Sequence, residues 1–180
     1  MSETEATPPP APEPAIDEAQ LRYALEQLRS EENFPLALIA GAVAAAVGAA
    51  AWTAITVVTG YQIGFMAIGV GLLVAFTVRA AGKGMSPKFQ IAGAGFALLG
   101  CAVGNFLTVC WFIADYEQMP FVDVLTQLDP AAIPDLMIST FSGMDLLFYA
   151  LAVYEGYRLS LRQVSESDLL QMTGAGAPGV

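Results

Sequence analysis

The chain has 180 residues, enough for one ordinary domain, but 56% of them are apolar and only 13% are charged. Long stretches carry no charge, and one soluble core of this size could not hide so much apolar surface, so the expected solvent is lipid. A net charge of −10 without a basic stripe argues against a nucleic-acid partner, and the absence of histidine removes the commonest general base, haem ligand and catalytic zinc ligand.

Residues 1–15 are rich in Pro, Ala and Glu with nothing to bury, which predicts a disordered tail. It has no basic n-region and is not read as a signal peptide. Residues 16–33 then take a helical pattern: Leu21, Leu25 and Leu28 fall on one narrow face opposite an acidic one. That pattern predicts a short cytoplasmic amphipathic helix, suited to a protein partner or to its own bundle rather than to lipid headgroups.

Four apolar runs follow, at about residues 36–59, 60–78, 89–114 and 136–154. Crossing a hydrocarbon core of about 30 Å takes roughly 20 apolar residues, so each run qualifies as a span. No period-2 alternation appears, which argues against a β-barrel. The predicted fold is an all-α membrane protein with a four-helix domain over residues 34–160 and a flexible cytoplasmic tail over 161–180.

The connections differ in charge. Residues 79–88 carry three bases and no acid, whereas residues 115–135 carry five acids and no base. The positive-inside rule then puts both termini and the 79–88 loop in the cytoplasm. Within the acidic loop, Phe121, Leu125 and Leu128 suggest one short surface helix between Pro120 and Pro130. Cys101 and Cys110 share one run, about 13 Å apart on a helix, too far for a disulfide between them.

Small residues recur in the spans, with Gly41 in the first, Gly71 in the second, and Gly100 and Gly104 forming a GxxxG in the third. Such ridges let helix backbones approach closely in lipid. They suit either packing within the bundle or a homo-oligomer seam.

The sharpest polar feature is Asp145, the tenth residue of the fourth run. On a continuous helix it would sit near the bilayer midplane, where an acid costs about 2.5–3.5 kcal/mol and needs a partner. Asn105 lies at matching depth on the third span, and Ser142 and Tyr149 share the helix face of Asp145. The cluster is either structural, with a protonated Asp145 joining two spans, or a proton or cation path. No nucleophile–base pair can be drawn in the spans, so no enzyme, cofactor or metal site is expected.

Residues 33–41 (NFPLALIAG), 58–71 (VTGYQIGFMAIGVG), 98–109 (LLGCAVGNFLTV) and 141–158 (FSGMDLLFYALAVYEGYR) resemble a group of small bacterial four-span inner-membrane proteins. The resemblance covers about residues 30–160. It implies a bacterial inner membrane and four spans, and supplies no activity and no catalytic or binding residue. The sequence is therefore read as an inner-membrane scaffold or accessory protein that binds protein partners, or further copies of itself, through its spans and acidic tails. The rival reading is a small oligomeric channel or proton or cation pathway through Asp145.

Overall fold

The structure, a computed structural model, describes residues 18–61 and 64–173. Regular structure among them is helical: α1 (Glu18–Ser30), α2 (Phe34–Thr59), α3 (Phe65–Gly82), α4 (Pro87–Tyr116), α5 (Phe121–Gln127), α6 (Ile133–Thr140), α7 (Gly143–Leu159) and α8 (Glu166–Thr173), with a 3-10 turn at Pro130–Ala132. Three helices, α2, α3 and α4, are long and apolar enough to cross a membrane. A fourth crossing exists if α6 and α7, bent by 104° at a short break, are counted together. The chain divides into two compact units, Glu31–Arg162 and a smaller one formed by the flanks.

Helix ends in the larger unit are set by local chemistry rather than by hydropathy. At the start of α2, the Asn33 side chain accepts the Leu36 N–H at 3.0 Å, and Pro35 occupies a first-turn position where no N–H is needed. The helix stops at Gly60, whose φ of 70° is the left-handed conformation that glycine adopts without strain. The next helix begins at Phe65 and runs on through Arg79 to Gly82, so it is displaced from the charge-free run at 60–78. Hydropathy marks depth in lipid, and a basic side chain at a helix end can reach the interface while its backbone stays helical.

Packing in this unit inverts the pattern of a soluble protein. α2 lies against α3 and α4, and α7 closes the bundle against α3 and α4. The buried positions are mostly small, including Ala37, Ala44, Ala49, Ala67, Ala97 and Ala152. Large apolar side chains point outward: Ile39, Val43, Phe76 and Ile91 are all more than half exposed. Lipid offers helices no hydrophobic reason to associate, so close backbone contact between small residues holds them together.

The closest backbone contacts between helices fall on α7. A Cβ at Gly71 would lie 2.8 Å from the Ala152 backbone, and one at Gly156 would lie 2.6 Å from the Gly93 carbonyl oxygen. Gly93 and Gly156 meet face to face, a pairing absent from the ladders read in the sequence.

A polar latch ties the helix ends at the basic end of the bundle. Glu31 accepts from Arg162 at 2.9 Å and pairs with Lys83 at 3.5 Å, while Glu32 accepts the Met85 N–H at 2.8 Å and the Ser86 hydroxyl at 2.9 Å. Lys88 stands 3.3 Å from Glu32 and over the faces of Phe34 and Phe89. Main-chain bonds from Asn33 to Gly82 and from Arg162 to Gly84 complete the closure. The hydrogen bond from Arg162, aided by the Lys83 charge, holds the Glu31 carboxyl below its usual range. Burial pushes Glu32 up, but the Met85 N–H, the Ser86 hydroxyl and Lys88 outweigh it, and its pKa is also lowered.

Depressed carboxylate values stabilise the fold above the unfolded pKa of about 4.3, and that stability is lost as pH falls through the lower folded values. The melting temperature in detergent should therefore hold from pH 7 to about 5 and drop below about 4. Glu32→Gln should melt lower at pH 7 and show a shallower fall. An equal fall in both proteins would mean that Glu32 takes no part in it.

The smaller unit packs α1 against α8. Ala24 and Leu28 of α1 are buried, and Leu21 and Leu25 are partly so. The tail expected over 161–180 contains a helix, α8, in its described part. Leu169 and Leu170 provide partly buried apolar surface, and Asp168 accepts the Ser165 N–H at 3.1 Å at the start of the helix. The disordered tail expected at 1–15 and the last residues, 174–180, lie outside the described residues.

Candidate functional site: the broken fourth span

The helix expected at 136–154 is not continuous. α6 ends at Thr140, Phe141 and Ser142 are extended, and α7 starts at Gly143. Ser142 and Asp145 form a reciprocal cap: the Ser142 hydroxyl accepts the Asp145 N–H at 3.3 Å, and the Asp145 carboxylate accepts the Ser142 N–H at 2.8 Å. The hydroxyl also lies 2.9 Å from the same carboxylate oxygen. This is a capping box, and it explains the break, because Ser-x-x-Asp starts a new helix where the apolar count alone sees one helix. The carboxylate also sits at the positive end of the α7 dipole.

Asp145 is thus in the first turn of α7 and partly buried, not midway along an unbroken span. Its hydrogen bonds go to Ser142. Asn105, the partner expected from depth, meets Tyr149 one turn further along α7. The Tyr149 hydroxyl donates to the Cys101 carbonyl at 3.0 Å, and its ring stands edge-on to Trp52, with centroids 6.4 Å apart, and to Phe141 at 5.4 Å. The four residues singled out in the sequence therefore form two groups: Asp145 with Ser142 at the break, and Asn105 with Tyr149 inside the bundle.

The register gives the depth of the break. Tyr149 is level with Cys101, which lies about 22 Å from the Tyr116 end of α4, and Ser142 lies about 10 Å further along than Tyr149. The break therefore falls about 12 Å short of the end of α4. α3 stops near the same level, where Gly64 and Phe65 meet Phe148. A shallow cavity of about 250 Å³ opens here, lined by Gly64, Thr140, Ser142, Met144, Asp145 and Phe148.

α6 has no buried residue, and Ile138 on it is 73% exposed. Met144, Leu146 and Leu147 continue this exposed apolar surface past the break. Beside it, a groove between α6 and the end of α4 is lined by Phe112, Ile113, Tyr116, Glu117, Leu136 and Thr140.

The packing glycines all face inward. Gly41 meets Phe96 and Val78, Gly71 meets Ala152, Gly100 meets Val70 and Ala45, and Gly104 meets Trp52 and Ala49. All four belong to contacts within one chain. Glu155 lies on α7, just past the fourth apolar run. One of its carboxylate oxygens is buried with no hydrogen-bond partner among the described residues. Among the described residues, no cluster of His, Cys, Asp and Glu could hold a metal ion.

The cap makes a defined expectation for Asp145. Asp145→Asn keeps an acceptor for the Ser142 N–H and should cost under about 0.5 kcal/mol, whereas Asp145→Ala removes the box and should cost about 1 kcal/mol. Melting temperatures of the two variants in one detergent check this. Equal losses in both would mean that the charge, not the hydrogen bond, matters.

No protein family, curated protein or solved structure matches the chain.

Proposed function

We propose that this chain is a scaffold or accessory protein of the bacterial inner membrane, with both termini in the cytoplasm and a protein partner seated on its broken fourth span. One observation carries the reading: an exposed, non-helical backbone segment about 12 Å inside the end of α4, with an unpartnered apolar helix attached to it. Lipid cannot satisfy free N–H and C=O groups, so irregular backbone at membrane depth is tolerated where protein or water covers it. Here residues 139–144 are all exposed.

Asp145 starts α7 through the capping box, and this structural role supports the scaffold reading over a pathway through that residue. The flanking unit and the acidic 115–135 segment each offer a further surface for a partner. The asymmetry of bases supports the orientation.

Photocrosslinking in native membranes tests the partner. A photoreactive side chain at Ile138 should give a discrete protein adduct, whereas one at Ile91, exposed on α4, should give lipid adducts. Lipid adducts alone at both positions would remove the partner from the account. Orientation is checked separately, in a background lacking Cys101 and Cys110. A cysteine at Gln127 should react with an impermeant maleimide in intact cells and one at Ser86 should not; the reverse pattern would invert the topology.

A further inference from the structure

Two neighbouring polar groups on α2 are buried without a hydrogen-bond partner among the described residues: the Trp52 indole Nε1 and the Thr56 hydroxyl. Trp52 is 1% exposed and Thr56 is fully buried. They lie one turn apart on the same face of α2. The Tyr149 ring on α7 stands against Trp52, and Asn105 and Thr108, one residue and one turn beyond Gly104 on α4, are both buried. The contacts of Gly104 with Trp52 and Ala49, and of Tyr149 with Cys101, bring these residues to one level.

Left dry, each group carries the full cost of its lost hydration, and in lipid there is no surface water to relieve it. A single buried water usually makes about three hydrogen bonds to such groups. The required complement is present. The Trp52 N–H and Thr56 O–H can donate. The Thr108 oxygen donates to the Gly104 carbonyl at 2.8 Å and keeps acceptor capacity, while the Tyr149 oxygen donates to Cys101 at 3.0 Å, meets Asn105 and has one lone pair left.

The two directions away from this cluster differ. Toward the acidic end, α3 and α7 stop early, near the level where Gly64 meets Phe148, while α2 and α4 continue. Toward the basic end the interior is apolar. Val70 wedges between α2 and α4, where a Cβ at Gly48 or Gly100 would lie 3.2 or 2.7 Å from its methyl groups. Val74, Val78, Ala97 and Phe89 continue the seal, and the next buried polar side chain among the described residues is Ser160, where the bundle ends.

We infer that the acidic-end half of the bundle contains an internal water site, built by Trp52, Thr56, Thr108 and Tyr149, and closed toward the basic end by Val70. The site holds water without conducting it, and it stands apart from any partner on the fourth span. It gives the polar interior of α2 and α4 a role that does not involve Asp145.

The test is NMR of the full chain in bicelles with tryptophan and valine nitrogens labelled, Trp111→Phe assigning the indoles and Val70→Ala and Val74→Ala the two amides. The Trp52 indole proton should show a cross-peak to water, reduced at least twofold in Thr56→Val, while the Val70 and Val74 amides show none. An indole with no water cross-peak, or one whose cross-peak is to acyl chains, overturns the site. Water cross-peaks at Val70 and Val74 overturn its closure. The wild-type spectrum decides the first point even if Thr56→Val does not fold.

Discussion

Gly156→Val should destabilise the bundle by about 3 kcal/mol, toward the upper end of what overpacking costs. The reason is that the obstacle is backbone. A Cβ at Gly156 would stand 2.6 Å from the Gly93 carbonyl oxygen and 2.9 Å from the Ala97 side chain, so α7 must move away from α4 as a body. The same movement would disturb the Tyr149–Cys101 hydrogen bond two turns away. Gly95, on an exposed face of the same α4 with nothing within 4 Å of its Cβ position, is the control. Gly95→Ala should be neutral or stabilise by up to about 1 kcal/mol, because it only replaces a poor helix former with a good one. Unfolding in a mixed-micelle denaturant series separates the two. Equal effects at Gly156 and Gly95 would mean that helix propensity, not backbone contact, decides stability here.

Trp52→Ala should cost about 3–5 kcal/mol, the range for deleting a large buried aromatic. Trp52 is the largest fully buried side chain among the described residues, touching α4 at Gly104 and α7 at Tyr149. Its loss leaves a cavity that helices tied elsewhere by glycine contacts cannot close. Trp52→Phe keeps most of the volume and the edge-on ring contact, and should cost about 1 kcal/mol. Comparing the two by the same unfolding series checks that volume, rather than the indole N–H, dominates. A larger loss for Phe than for Ala would contradict it.

The sequence and the structure agree where the physics is cumulative and part where it is local. Charge-free runs of this length could only be apolar helices, so helices in all four regions were legible from composition. The break at Phe141 and Ser142 was not, because averaging over the run hides a single Ser-x-x-Asp cap. The cap itself stands in plain view as Ser142 and Asp145, but two residues that share a helix face fit an intramembrane pair equally well. The Gly93–Gly156 contact was hidden for a different reason. Small-residue spacing shows that a helix can be approached closely, but not which helix approaches it. The internal Trp52 and Thr56 pair was invisible because a Trp and a Thr in an apolar run look like a belt residue and a filler. α8 escaped notice because its two leucines are too few to signal a helix until α1 lies against them.

The partner proposal stands on the depth of the break. A nitroxide at Thr140, in the isolated protein reconstituted into liposomes, measures that depth through its relative accessibility to oxygen and to a water-soluble nickel chelate. Oxygen should dominate at Thr140, while the chelate should dominate at a control nitroxide on Gln127. Chelate access at Thr140 equal to that at Gln127 would put the break in water, where its backbone needs no cover, and would contradict the account.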